Sequence, residues 1–305
     1  MIKKPLLCAL LSATLISCDH NDESDISDSR TIQAKYTLPA VVHVIHDGEP
    51  IGEGFNLSKE RIASQIVSLN HDFRRVAGTL GDNDHPDGAN ALIEFELARI
   101  GPDGKPTDGI NRIDHNDVDI ISDTDDTPFD WLPQYSYWDP DNYINIWLLP
   151  GAQDLLLGSA QLPHTDLPGL EKELKTAGDG IFINTLHFGE SDLDSRSNRG
   201  RTLTHEMGHF LGLLHLWGET EGGDDCTEHD DYCDDTPPMT KRTGKCVQGT
   251  MMACNGQHAL TQNYMDYIPD VCMNMFTNDQ VSRMHYVLEN AERRRSLTTS
   301  TVIDR

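Results

Sequence analysis

Basic residues are scarce in this chain. Its 305 residues hold 24 Lys and Arg against 50 Asp and Glu, a formal charge of -26. A nucleic-acid surface needs a basic stripe to displace phosphate counterions, so neither DNA nor RNA is an expected partner. The acid excess suits solubility, calcium binding and attraction of basic substrates. The apolar run Pro5–Ile16 falls short of the ~20 residues that a spanning helix needs. There is no internal repeat. No two cysteines stand as Cys-x-x-Cys, which excludes a zinc site built from thiolate pairs. Aromatic content is only 7% and hydrophobic content 37%, which fits a globular protein with long polar loops. The length allows one large domain or two small ones.

The N-terminus reads as an export signal. Met1-Ile2-Lys3-Lys4 is a basic start, Pro5–Ile16 an apolar stretch, and Leu15-Ile16-Ser17-Cys18 resembles a bacterial lipobox. Residues 1–18 are expected to be a lipoprotein-type signal, with Cys18 the lipidated first residue of the mature chain. Membrane contact is expected through that anchor alone. Residues 19–35 open on DHNDESDISDSR, an acidic, Ser-rich tether or short pro-segment expected to be disordered. The tether is similar to the acidic stretch after the lipidated Cys in surface-exported lipoproteins of the Bacteroidetes type. The chain is expected outside the cytoplasm, secreted or on the outer membrane or cell surface, and monomeric. In that setting the late cysteines, Cys226, Cys233, Cys246, Cys254 and Cys272, read as disulfides with one thiol left over.

Hydropathy patterning predicts an α+β fold. Tyr36–Ile45 is a β-branched run and reads as a buried strand. His43 and His46, three apart on that strand, face opposite sides and read as structural. Ser58 is an N-cap for a helix carrying Ile62, Ile66, Leu69 and Phe73 on one face. Ala91–Ile100 alternates, with Ile93, Phe95 and Leu97 inward, and Gly101–Gly104 is a turn. Asp108–Trp138 reads as acidic and irregular. Strands are expected at Tyr143–Leu149 and Gly180–Asn184, with an edge strand above a cleft at Leu155–Leu162. Thr202 is expected to cap the next helix. Residues 36–298 are read as one catalytic domain, strands and helices over 36–217 and a loop-rich lower part over 218–298, followed by a 299–305 tail. Thr277-Asn278-Asp279-Gln280 is a capping box for a final helix that ends in Glu292-Arg293-Arg294-Arg295.

The stretch that carries chemistry is His205-Glu206-Met207-Gly208-His209-Phe210-Leu211-Gly212-Leu213-Leu214-His215. Four residues apart on a helix, His205 and His209 project from one face and suit two ligands of a catalytic zinc ion. Glu206 lands beside the metal, where its carboxylate can take a proton from water. Gly212 can end the helix at positive φ, so that His215 turns back as third ligand. A fourth position is left for water and substrate. The pattern H-E-x-x-H-x-x-G-x-x-H is that of the metzincin metallopeptidases.

Further stretches narrow the resemblance. Val41–Ile45, Leu69–Arg75, Ile144–Trp147, Thr204–His209, Asp234–Pro237 and Asn263-Tyr264-Met265-Asp266-Tyr267 are similar to the pappalysin family, in its compact, ulilysin-like microbial branch. The resemblance implies a twisted mixed sheet with helices above a zinc cleft, and an irregular lower subdomain. It makes Met265 the apolar floor beneath the histidines, and Tyr267 a phenol that stabilises the oxyanion. It implies a structural calcium at Asp231, the Asp234 carbonyl and Thr236. It also implies disulfides Cys226–Cys254 and Cys246–Cys272. Cys226–Cys233 competes with the first of these, so the connectivity stays open. Asp270, five past the turn Met, would select Arg or Lys after the scissile bond. Residues 19–35 hold no cysteine that could block the metal. The expected function is a zinc endopeptidase acting on proteins or peptides. The rival from another class is an inactive binding lipoprotein on the same scaffold, against which the intact Glu206 argues.

Overall fold

The computed structural model describes residues 33–303, apart from 124–125, 151–155, 173–175, 194, 219 and 248–249. The leader, Cys18, most of the tether and the first residue of the expected 155–162 strand lie outside the described residues. Among those described, no helix is long and apolar enough to cross a membrane.

One mixed sheet organises the upper part. Its central strand β1 (Tyr36–His46) pairs in parallel with β2 (Ile93–Leu97) along its first half. Along its second half the same edge takes β3 (Ile110–Asp114), also parallel. On the other side follow β4 (Ile144–Leu149), β6 (Ile181–Asn184) and the antiparallel edge strand β5 (Gly158–Ala160). The sequence of β1 is apolar without alternation because both of its faces are covered. Leu38, Ala40, Val42 and Val44 join the main core with Ile62, Leu69 and Phe73 of α1 (Lys59–Phe73) and Leu203 and Met207 of α3 (Arg201–Phe210). Val41 packs with Tyr143 and Val302, and Ile45 with Trp147 and Phe129 of the short α2 (Pro128–Trp131).

Two stretches differ from the sequence expectation here. Part of the irregular 108–138 region is strand and helix. β3 (INRID) is short, half polar and partly exposed, so it carries no alternation to read. The segment 299–303, expected as a tail, returns to the domain: the Val302 carbonyl accepts from Arg99 N and Ile100 N.

Among its described residues, the lower part from 218 to 277 is loop with two short 3-10 turns at Cys226–Glu228 and Asp270–Cys272. The capping box at Thr277 is formed, with Gln280 reaching back to the Thr277 N–H. The helix it starts, α4 (Asn278–Asn290), stops at Ala291, and α5 (Glu292–Leu297) begins afresh. The single final helix is therefore two. The break turns Arg294 inward, where its guanidinium meets Asp179 in a bidentate pair at 2.7 and 2.9 Å. It also donates to the carbonyls of Phe210 and Gln161 and lies 3.5 Å from the Phe210 ring centroid.

Removing one partner of such a buried pair leaves the other charge uncompensated. Asp179→Ala is expected to lower unfolding stability by about 3–5 kcal/mol. Urea denaturation followed by circular dichroism measures this, and an unchanged midpoint would show that the Asp179–Arg294 pair does not hold α5.

Candidate active site

Helix α3 carries the first half of the site. Its start is not capped by Thr202, which lies inside the helix. The N-cap is Gly200, in the left-handed region and without a side chain to contribute. Asp270 replaces the cap from seventy residues away: its Oδ2 accepts from Arg199 N at 2.8 Å and Arg201 N at 3.2 Å. A carboxylate there also complements the positive end of the helix dipole. Asp72, at the end of α1, grips the same first turns. Its two oxygens take Arg201 Nη2 at 2.8 Å and Thr204 Oγ1 at 2.7 Å, all buried.

The helix ends as the glycine predicts. Gly212 has φ +92°, and a Cβ there would stand 2.6 Å from Val287. Leu213 N bonds back to Gly208 O and Gly212 N to His209 O, which closes the turn. His215 is thereby brought round to the other two histidines.

Ring orientation decides what the histidines can do. His205 Nδ1 lies 2.7 Å from Tyr264 O, and His209 Nδ1 lies 2.8 Å from Leu213 O. A carbonyl only accepts, so both Nδ1 atoms carry the proton and both Nε2 atoms present lone pairs. Yet His209 Nε2 sits 3.1 Å from the Nε2 of His205 and 3.1 Å from that of His215. Converging lone pairs repel unless a cation lies between them. Ligands at zinc–nitrogen distances of about 2.0–2.1 Å in a tetrahedron stand about 3.3 Å apart, so the donor set fits zinc. Burial holds all three imidazoles neutral, His205 down to about 3 and His209 down to about 4. His215 is lowered too, by burial and by the other two rings. His43 makes the contrast. Its Nε2 donates to Asn145 Oδ1 and its Nδ1 accepts from Asn111, so no lone pair is left for a metal. It is structural, as its strand position implies.

Glu206 is buried beside the histidines, and burial alone pushes its carboxyl up to about 8. A divalent ion in the histidine cradle would favour the ionised form and draw it back down. Edge strand β5 passes over it. Gly158 makes this approach feasible, since a Cβ there would stand 3.1 Å from Glu206 Cγ. Leu157 O and Gln161 N are used by Asn184 and Gly180, so the backbone groups of Gly158 and Ala160 face the free edge. Met265 is fully buried beneath α3, and a Cβ on Gly208 would meet its sulfur at 2.5 Å. The Tyr267 ring stands 5.2 Å from His205 and 4.8 Å from His215, and burial raises its phenol to about 12.

Glu206, Tyr267 and Asp270 line one cavity of about 550 Å³, walled by Leu156, Ile268 and Met273 among others. Asp270 is buried, and burial raises its carboxyl above the usual range. Below the site, Asp231 and Thr236 come together: Asp231 Oδ1 accepts from Thr236 Oγ1 at 2.5 Å and Cys233 N at 3.2 Å. Asp231 Oδ2 is buried without a hydrogen-bond partner, and burial pushes this carboxyl up to about 7. An orphaned buried carboxylate oxygen among hard donors fits calcium. Asp234 lies between the two in the chain and is exposed. Disulfides Cys226–Cys254 and Cys246–Cys272 are formed, and Cys233 is free and buried.

A family model described as pregnancy-associated plasma protein-A matches residues 133–289. The chain belongs to the pappalysin family. It is a zinc metalloendopeptidase of the metzincin type. An extracellular metalloprotease of Arthroderma benhamiae is 34% identical over 266 residues, covering 87% of this chain and 82% of the relative. The solved structure of mature mirolysin from Tannerella forsythia, in complex with a cleaved peptide, superposes with a TM-score of 0.73 at 31% identity. That match covers 88% of this chain and 97% of mirolysin. Promirolysin gives 0.72 at 32% identity, over 87% of this chain and 84% of that one.

Local spacing does not mark every residue that builds this pappalysin site. Asp72 acts across the fold, pairing with Arg201 of α3 from 129 residues away, a separation that no sequence window spans. Gly158 inside an apolar stretch is the one available signal for a close backbone approach. Substitution at Gly208 tests the contact beneath the histidines. Gly208→Ala is expected to displace Met265 and weaken zinc binding by roughly 10–100-fold, as loss of support behind metal ligands does elsewhere. Competition with a fluorescent chelator measures it; unchanged affinity would show that Met265 carries no support.

Proposed function

We propose that this metalloendopeptidase is exported, holds its zinc on His205, His209 and His215, and cuts before Arg or Lys. The observation that carries the reading is the convergence of three neutral Nε2 atoms beside the buried Glu206. When bound, zinc supplies Lewis acidity to the scissile carbonyl and lowers the pKa of a water to about 7. Substrate lies extended along β5 and bonds to the free backbone groups of Gly158 and Ala160. Glu206 takes the proton of the attacking water and delivers it to the leaving amine nitrogen. Tyr267, kept protonated by burial, donates to the carbonyl oxygen as negative charge builds there. The side chain after the cut enters the cavity, its methylenes against Leu156, Ile268 and Met273, its charged end toward Asp270.

Export is supported by the leader with Cys18, by the two disulfides, and by relatives named extracellular metalloproteases. We assign the signal to 1–18 with Cys18 lipidated, the tether to 19–35, and the catalytic domain to 36–298. Calcium is assigned to Asp231, Thr236 and the Asp234 carbonyl on the strength of the orphaned Asp231 oxygen. No observation favours the inactive binding-protein rival.

The reading is tested by digesting a peptide library with the zinc- and calcium-loaded enzyme and sequencing the new N-termini. Arg and Lys should dominate, and Glu206→Ala should keep one zinc while losing roughly 100-fold or more in turnover. Asp270→Asn should lose the basic preference. Cleavage without that preference in the wild type would remove Asp270 from specificity, and full activity of Glu206→Ala would sink the mechanism. Calcium is tested separately by thermal melts. A ligand at 100 times its Kd stabilises by about 2.7 kcal/mol, so added calcium should raise the melting temperature of the wild type and not that of Asp231→Asn. Equal shifts in both would place the ion elsewhere.

A further inference from the structure

Tyr267 is surrounded mostly by the metal side of the site. His205, His215 and Trp217 stand 4.8–5.2 Å from its ring centroid. The fourth neighbour comes from the lower loop: the Arg242 guanidinium lies over the ring, 4.9 Å from the centroid. Arg242 also lines the substrate cavity together with Glu206 and Tyr267. A side chain half exposed at a cavity wall ordinarily samples many rotamers, and this one is held. Glu221 takes Arg242 Nε at 2.9 Å on each carboxylate oxygen, also takes Nη2, and accepts from the Arg242 backbone N–H at 3.0 Å.

The loop that bears Arg242 is itself tied to the Tyr267 segment. Thr243 N donates to Asp266 Oδ1 at 2.9 Å. Arg196 bridges the two stretches, donating to Gly244 O and to Tyr267 O at 3.0 Å each. The Cys246–Cys272 disulfide closes the same loop onto the turn that carries Asp270. Cation and ring are thus fixed relative to each other by charge, backbone and covalent bond together.

We propose that Arg242, oriented by Glu221, is a positioning residue: it holds the Tyr267 ring so that the phenol meets the developing oxyanion. A cation over an aromatic face is attracted by the ring quadrupole. Because Glu221 immobilises the cation, the attraction restricts the ring instead of following it. A phenol already in place loses no reorganisation free energy when charge develops. The inference rests on the role given to Tyr267 above.

A double-mutant cycle tests it, since a residue acting through another loses its effect when that other is gone. In the zinc- and calcium-loaded enzyme, Arg242→Gln should lower kcat about 10-fold, with KM within about 3-fold and zinc content unchanged. Arg242→Lys, which keeps the charge without the planar stack, should recover part of the loss. In a Tyr267→Phe background, Arg242→Gln should lower kcat no further. The same factor in both backgrounds, or an unchanged kcat in the single variant, would overturn the proposal. Full kcat in Tyr267→Phe alone would remove the role of Tyr267 and this inference with it, while leaving the zinc and Glu206 assignments standing.

Discussion

The Nε2 atoms of three neutral imidazoles meet at one point, two of them with the lone pair outward, and the surrounding architecture keeps them there. Without an ion the arrangement is repulsive, so the rings must be fixed by something outside the metal site. Two carbonyls do this directly, one from the segment before Met265 and one from the turn after Gly212. Each fixes a tautomer as well as a direction. Both carbonyls depend in turn on backbone that has no freedom of its own. Tyr264 is fully buried, and the Gly212 turn is closed against Val287 of α4. The lower helix therefore reaches the zinc ligands through a glycine.

Asp270 links two properties that are usually separate. One of its oxygens receives Arg199 N, just before α3, and Arg201 N, the first of the helix, so it is part of what starts the helix that carries His205 and His209. Its carboxylate also sits in the wall of the cavity lined by Glu206 and Tyr267. A carboxylate free in a pocket would pay rotamer entropy to meet a substrate cation. This one is already oriented by backbone donors, which is the condition for discrimination between charged side chains. The start of α3 and one wall of the cavity beside Glu206 therefore share one side chain.

What could be read from the sequence was whatever is encoded within one turn or one strand. The spacing of His205, His209, Gly212 and His215 is a property of helical period and of a single positive φ, so the meeting of the three histidines was legible residue by residue. The Thr277 capping box, the Ser58 cap and the strands at 36, 93, 144 and 181 are local in the same sense. The disulfide pairing, Met265 and Tyr267 became readable only through resemblance to the pappalysins. The misses are all interactions across long separations. Thr202 resembles a cap, but Asp270 supplies the capping oxygen from another loop. β3 is recruited by the open edge of β1, not by its own five residues. Beyond the helix break at Ala291, Arg294 pairs with Asp179, 115 residues apart. Asp72 and Arg242 belong to the same class.

The two halves of the site are stabilised by different physics. Above the cleft, β1, β4 and β6 are buried on both faces, and area removed from water does most of the work. Below it, the described residues of 218–277 hold almost no regular structure; Tyr264, Met265 and Phe276 anchor the later part in the main core, and the loops before them need other constraints. They have two disulfides, the Arg242–Glu221 pair, the Arg196 bridge and the Asp231 oxygen that asks for a cation. Every one of these lies on the side of the cleft that supplies Met265, Tyr267 and Asp270. It follows that reducing agents, which open the two disulfides, act on this enzyme first through its lower rim. The loops that carry Met265, Tyr267 and Asp270 should loosen before the sheet on which α3 packs does. A chain built this way suits an oxidising compartment, where thiols stay paired.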